Sequence, residues 1–179
     1  MTTSPSLFRT VRGHLERFAS DSRASPAVEF ALIAPVFVAL LLASLQAGVI
    51  FLAKAYLESV AETGARTVLT GQAGSMTQAQ FQTAICAEVS ALFNCGQLIV
   101  QLEPLPSTAT SLSTFIPQFN PDGTLTSPTA FAPGAGGQNM VLIVAYQWPV
   151  YGGPLGLNFS TLGNGTLLML STQVFRVEA

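Results

Sequence analysis

The chain has 179 residues, room for one ordinary domain and an appendage, and only 9% of them are charged, against about a quarter in a typical soluble domain. Its formal net charge is −2, yet four of its seven basic residues (Arg9, Arg12, Arg17 and Arg23) fall in the first 24 positions, and residues 67–175 contain no Lys or Arg. A surface that neutralises phosphates needs cations, so this distribution argues against nucleic-acid binding.

Residues 1–24 are polar, lack helical apolar periodicity, and read as a leader or tail. Ser25-Pro26 marks a helix start, because Ser caps well and Pro suits the first helical position. Proline also pushes the residue before it out of helical geometry, which sets a break just ahead of the helix. Residues 30–53, FALIAPVFVALLLASLQAGVIFLA, form a run of 24 without a charge. At about 1.5 Å per residue they extend roughly 36 Å as a helix, more than the roughly 30 Å hydrocarbon core of a bilayer. Ser44 and Gln46 are tolerable in one span, and Pro35 sits in the first turns, where a kink does little harm. A buried helix of a soluble domain would need apolar partners on every face.

Arginines precede this span and only Lys54 follows closely, so the positive-inside rule places the N-terminus in the cytoplasm and the larger C-terminal part outside. The competing reading is a cleaved secretory signal, for which Leu45-Gln46-Ala47 would pass as a cleavage site. Its apolar region should be about 7 to 15 residues, and here it is longer.

No helix breaker follows Ala53, so the helix is expected to run on to about residue 72. Lys54/Glu58 and Glu62/Arg66 are opposite charges at i, i+4, while Leu57, Val60, Gly64 and Val68 line another face, and Gly71 and Gly74 end it. A helix of some 45 residues cannot bury its outer half alone and must pack on the rest of the chain or on partners. Ser75-Met76-Thr77-Gln78 has the capping-box pattern of a second helix, with an apolar stripe of Phe81, Ile85, Val89 and Leu92 and stop signals at Asn94 and Gly96.

The periodicity then changes to that of strands, at 97–105, 140–148 and 166–178, the last introduced by Asn164-Gly165. The middle run is apolar on both faces and reads as a central strand. Residues 106–138 are rich in Ser, Thr, Pro and Gly, with room for a weak strand or hairpin around Asn120-Pro121-Asp122-Gly123. The expected architecture is α+β: a long N-terminal transmembrane helix that continues outward, a short second helix, and a small antiparallel sheet of three or four strands. The organisation is 1–24 leader or tail, 25–72 transmembrane and extended helix, and 73–179 outer α+β domain.

Cys86 and Cys95 are the only cysteines, and an even pair in an oxidising compartment forms a disulfide more often than two buried thiols. Bridging requires the Cα atoms to approach within about 7 Å, so the chain must reverse near Asn94. Two thiols without an outer histidine cannot complete a tetrahedral metal shell, and no metal or other cofactor is expected. The one histidine, His14, lies in the leader, which removes the common Ser/His and Cys/His nucleophile pairs. Pro133-Gly134-Ala135-Gly136-Gly137 is not followed by Lys-Ser/Thr and is not a phosphate loop. Nothing here points to catalysis.

Glu29 opens the apolar span, where a carboxylate costs on the order of a few kcal/mol if deep and much less near the interface. One account is that it complements the positive helix N-terminus. The other is that it meets a buried cation; a cut after Ala24 would create one at the amino group of Ser25, in this subunit or a neighbour.

Arg23-Ala24-Ser25-Pro26-Ala27-Val28-Glu29-Phe30-Ala31-Leu32-Ile33-Ala34-Pro35 resembles the N-terminus of TadE-like (TadE/TadG-like) proteins, minor pseudopilins of bacterial tight-adherence (Flp) pilus systems. Ala61-Glu62-Thr63-Gly64-Ala65-Arg66 is similar to a helical motif of that family, and Val174-Phe175-Arg176-Val177-Glu178 to its close. The resemblance implies a prepilin peptidase cut between Ala24 and Ser25, with Glu29 as the fifth mature residue, although Ala24 stands where such pilins usually carry Gly. It further implies an inner-membrane subunit with a periplasmic domain, and other pilins, pseudopilins and the pilus assembly platform as partners. The expected function is that of a pilin-like structural or assembly subunit of an adhesive pilus or secretion machine. The alternative is a signal-anchored envelope domain that binds a ligand or polysaccharide.

Overall fold

The computed structural model describes residues 25–150, 152 and 156–178. The expected leader or tail, residues 1–24, lies outside these residues, and with it His14 and Ala24, half of the expected cleavage position.

Helix α1 runs unbroken over Ser25–Leu69, 45 residues with Pro35 inside. It ends as its glycines predict. The Thr70 amide still reaches Arg66 O at 3.0 Å, and Gly71 then takes φ 74°, a left-handed conformation that a Cβ would strain. A single 3-10 turn, Gln72–Ser75, leads to α2 over Gln78–Cys86.

The capping box of α2 is built two residues later than its expected place. The Gln80 amide donates to Thr77 Oγ1 at 3.3 Å, and Gln80 Oε1 accepts from the Thr77 amide at 2.9 Å. Ser75 is unavailable because it closes the 3-10 turn, its hydroxyl donating to Gln72 O at 3.4 Å, whereas Thr77 has the extended backbone a cap requires. The stripe also departs at its end. The helix tightens into a 3-10 turn at Ala87–Val89, which rotates the following face, so Phe93 is buried at 2% exposure and Leu92 is left at 39%.

The sheet has strands β1 (Ile99–Pro104), β2 (Asn139–Pro149) and β3 (Thr166–Arg176), all antiparallel in the order β1-β2-β3. The most apolar strand is thus the central one. Opposite residues share a face, so Val100/Val144, Leu102/Leu142 and Val144/Ser171 fix which side meets the helices. On that side Met140, Leu142 and Val144 pack in one core with Leu57, Val60, Ala61 and Val68 of α1 and Phe81 and Ile85 of α2.

Val141, Ile143 and Ala145, on the other side of β2, are equally buried but lie outside the core shared with α1 and α2. The 106–138 segment is tied to that side, where Gln147 Nε2 donates to Gly123 O. The segment folds at 118–126 into a short hairpin. Asn120 N donates to Thr124 O at 2.8 Å, Thr126 N donates to Gln118 O at 2.9 Å, and Gly123 turns at φ 84°. The architecture is therefore α+β with three strands.

Candidate assembly surface

α1 is gripped along only part of its length. From Ala53 onward its inward residues vanish into the core, with Ala53, Leu57, Val60, Ala61, Ala65 and Val68 all buried. Before Ala53 nearly every large apolar side chain is bare, among them Phe30 at 73%, Leu32 at 71% and Phe51 at 72% exposure. About 27 residues, roughly 40 Å of helix, thus precede the clasped part, with exposed apolar side chains along most of their length. Among the described residues this is the one helix long and apolar enough to cross a membrane. Little of its apolar stretch is buried, which a core helix of a soluble domain would not show. These features fit a membrane-anchored protein.

Glu29 lies one turn into this bare segment and is exposed, on the helix that Ser25 begins. The chain therefore brings Glu29 near the start of α1 and far from the folded domain.

The motif Glu62-Thr63-Gly64-Ala65-Arg66 divides between two faces of α1. Glu62 and Arg66 point outward, at 61% and 74% side-chain exposure, and pair at 2.8 Å. Solvent screens such a pair, and its contribution is a few tenths of a kcal/mol. Gly64 faces the core at the point where α1 crosses α2 and the sheet. A Cβ there would lie 2.9 Å from Leu142 Cδ2, 3.3 Å from Phe81 Cζ and 3.5 Å from Ile85 Cγ2. Gly64 lets the three elements meet.

Cys86 and Cys95 form a disulfide with their Cα atoms 5.7 Å apart. The reversal between them is held by Asn94, whose amide donates to the Tyr146 hydroxyl at 3.3 Å and whose Oδ1 accepts from Gly96 N at 3.1 Å. Gln82 Nε2 reaches the Leu98 carbonyl at 2.7 Å, tying α2 to the chain that enters β1. Phe93 then stacks edge-on against Tyr146 at 4.8 Å and Trp148 at 5.8 Å, closing one end of the core.

Several concavities flank the sheet among the described residues. A cleft of about 640 Å³ opens where β2 outruns β1, lined by Gly96, Leu98, Tyr146, Gln147, Asn164 and Thr166 without a charged group. A groove of about 540 Å³ runs between α1 and β3, with Lys54, Glu58 and Glu62 on one wall and residues 170–173 on the other. The sequence offered no sign of this groove, since its walls lie more than a hundred residues apart in the chain. Among the described residues no three His, Cys, Asp or Glu side chains gather. On the 118–126 hairpin, the Thr124 hydroxyl and then its amide donate to the Asp122 carboxylate at 2.7 and 2.9 Å and hold its pKa below the ordinary value.

No curated protein and no solved structure matches the chain significantly. A family model does match, and its span of residues 25–66 takes in Ser25, Glu29, Glu62, Gly64 and Arg66 and stops just short of the end of α1. The shared segment is thus the anchor together with the part of the helix that docks on the sheet. Over residues 25–66 the chain is thus similar to TadE-like proteins.

Proposed function

We propose that the protein is a pilin-like structural or assembly subunit, a minor pseudopilin, of a tight-adherence type pilus or secretion machine. The observation that carries this reading is the half-gripped α1: a folded domain clasps its C-terminal part, while most large apolar side chains ahead of Ala53 are exposed and offer a surface to lipid or to neighbouring helices. The arginines ahead of the span favour a cytoplasmic N-terminus, which sets residues 73–179 in the periplasm. The Cys86–Cys95 disulfide supports that placement, because such bonds persist in oxidising compartments. Few charges on the outer domain suit contact with partner subunits, whose interface cores are depleted in charge.

In this reading a prepilin peptidase cuts between Ala24 and Ser25, and Glu29 meets the amino group so exposed on a partner subunit. An apolar helix leaving lipid for a helix bundle gains little from the exchange of one apolar surrounding for another, so a charge pair in a low-dielectric setting supplies registration. Glu29→Leu tests this. Membrane insertion should stay intact or improve slightly, since the carboxylate opposes it. The amino group left unpaired costs several kcal/mol, enough to abolish a moderate-affinity contact. The variant should therefore accumulate in the membrane, fail to crosslink to pilin partners and fail to support piliation. Normal crosslinking and piliation would reduce Glu29 to a helix-terminus role.

A further inference from the structure

β3 is an edge strand of the sheet among the described residues. Its odd-numbered residues bond to β2, a ladder continued by the Val177 amide donating to Gln138 O at 2.9 Å. The even-numbered residues turn amide and carbonyl outward. At the start of the strand this side is closed: the Leu168 amide donates to Thr161 Oγ1 at 2.9 Å. Beyond it, Leu170, Thr172 and Val174 have no outer backbone partner among the described residues.

The other edge of the sheet is protected. Leu102 N donates to Ala130 O at 2.9 Å, Ala132 N donates to Leu102 O at 2.8 Å, and Gln78 Nε2 caps the Val100 carbonyl at 2.8 Å. Natural sheets blunt free edges with Lys, Pro or bulges. β3 carries no Pro and no charge between 166 and 175, and its register with β2 runs without a bulge.

This edge is also the floor of the groove beneath α1. Glu62 on the helix wall is held by Arg66, but Lys54 and Glu58 on the same wall are exposed and have neither an ion pair nor a hydrogen bond among the described residues. The groove thus offers a row of backbone donors and acceptors below one free ammonium and one free carboxylate, a turn of helix apart. An added strand has its side chains alternating every second residue, so two on the groove side can answer both charges.

We propose that this groove takes an extended segment of a different subunit as a fourth strand. Its backbone bonds to Leu170, Thr172 and Val174, and its groove-facing side chains bring a cation to Glu58 and a carboxylate to Lys54. A second copy of this chain does not fit: its β3 has no charged side chain from 166 to 175, and its β1 edge is already capped. Residues 1–24 do not fit either, because in the proposed topology they lie across the membrane from the groove. That clause and the word subunit rest on the assembly reading; the open edge and the free charges do not.

The test uses the full chain in its native membrane, with a photo-crosslinking residue at Val174 and, separately, at Phe37 in the anchor. The Val174 adduct should map by mass spectrometry to an extended stretch of another polypeptide that carries a basic residue. Thr172→Pro should reduce that adduct about tenfold or more, because it deletes an outward donor. The Thr172 amide is not part of the β2 ladder, so the unfolding midpoint should hold. Glu58→Lys, which leaves the backbone untouched, should reduce the adduct several-fold and keeps the test valid if the proline variant misfolds. An adduct to a second copy or to lipid, no adduct, or an adduct undiminished in both variants overturns the inference. If Phe37 crosslinks to partners while Val174 does not, the open-edge inference falls and the assembly reading stands. If neither crosslinks, both fall.

Discussion

Replacing Gly64 by alanine sets two effects against each other on one helix. A glycine in a helix interior is worth about 1 kcal/mol less than alanine, so the substitution should stabilise α1 if the new methyl has room. It has none. The added carbon would sit 2.9 Å from Leu142 Cδ2 and 3.3 Å from Phe81 Cζ, and both of those side chains are fully buried. A leucine terminus at the surface could swing aside, but Leu142 is on the central strand with helices against its face, so relief requires α1 to move. Overpacking of this kind costs about 1 to 3 kcal/mol. Gly64→Ala should therefore lower stability by about 1 kcal/mol net, and Gly64→Val, which adds two more methyls, by about 3 kcal/mol.

Urea unfolding of the full chain in detergent reads this directly through Trp148, the one tryptophan, which packs 5.8 Å from Phe93. The midpoint should fall with the slope unchanged. Gly48→Ala, with nothing within 4 Å of its new carbon, is the control and should show no loss. If Gly64→Ala proved more stable by the full helix gain, the crossing would have slack and the reason given for this glycine would be wrong.

Further outcomes follow from the other features. The Cys86–Cys95 bond closes a loop of sequence separation 9, so Cys86→Ala with Cys95→Ala should lose about 2 to 3 kcal/mol in the chain-entropy model, and dithiothreitol should then have no further effect. A residual effect of reductant on the double variant would refute that assignment. The Asp122 pKa is depressed by its Thr124 bonds, so its contribution is present above the unfolded-state value and lost as pH falls through the lower folded one. The Thr124 amide resonance should consequently titrate with a midpoint below the ordinary carboxylate range, with no such titration in Asp122→Asn; a midpoint at or above that range would show the bonds absent in solution. A reporter active only in the periplasm, fused after Ala179, should work, and activity solely from a cytoplasmic reporter would reverse the topology.

Local physics made much of this chain legible. The 24 uncharged residues of 30–53 need no tertiary context to declare a helix too apolar for water, and Gly71 ends that helix because only glycine relaxes at φ 74°. The two-sided apolar run of β2 declared a central strand, whereas the Asn-Pro-Asp-Gly segment left a weak strand and a hairpin both open. What the chain could not state locally were choices between near-equal alternatives settled by contacts far away. Ser75 and Thr77 both offer a capping hydroxyl, and the 3-10 turn that α1 needs to reverse leaves only Thr77 with cap geometry. Leu92 and Phe93 are both apolar, and the aromatic is drawn in because Tyr146 and Trp148 stand ready for it.

Tertiary packing also decided the sides. Glu62 and Gly64 are two residues apart in one motif, yet one meets solvent and the other touches Leu142, 78 positions on. The two edges of the sheet differ for the same reason: Gln78 and residues 130–132 close β1 from distant parts of the chain, and no described segment returns to close β3 at 170–174. A strand carries its pattern of side chains in its own sequence, but which of its backbone groups find a partner depends on what the rest of the chain lays beside it.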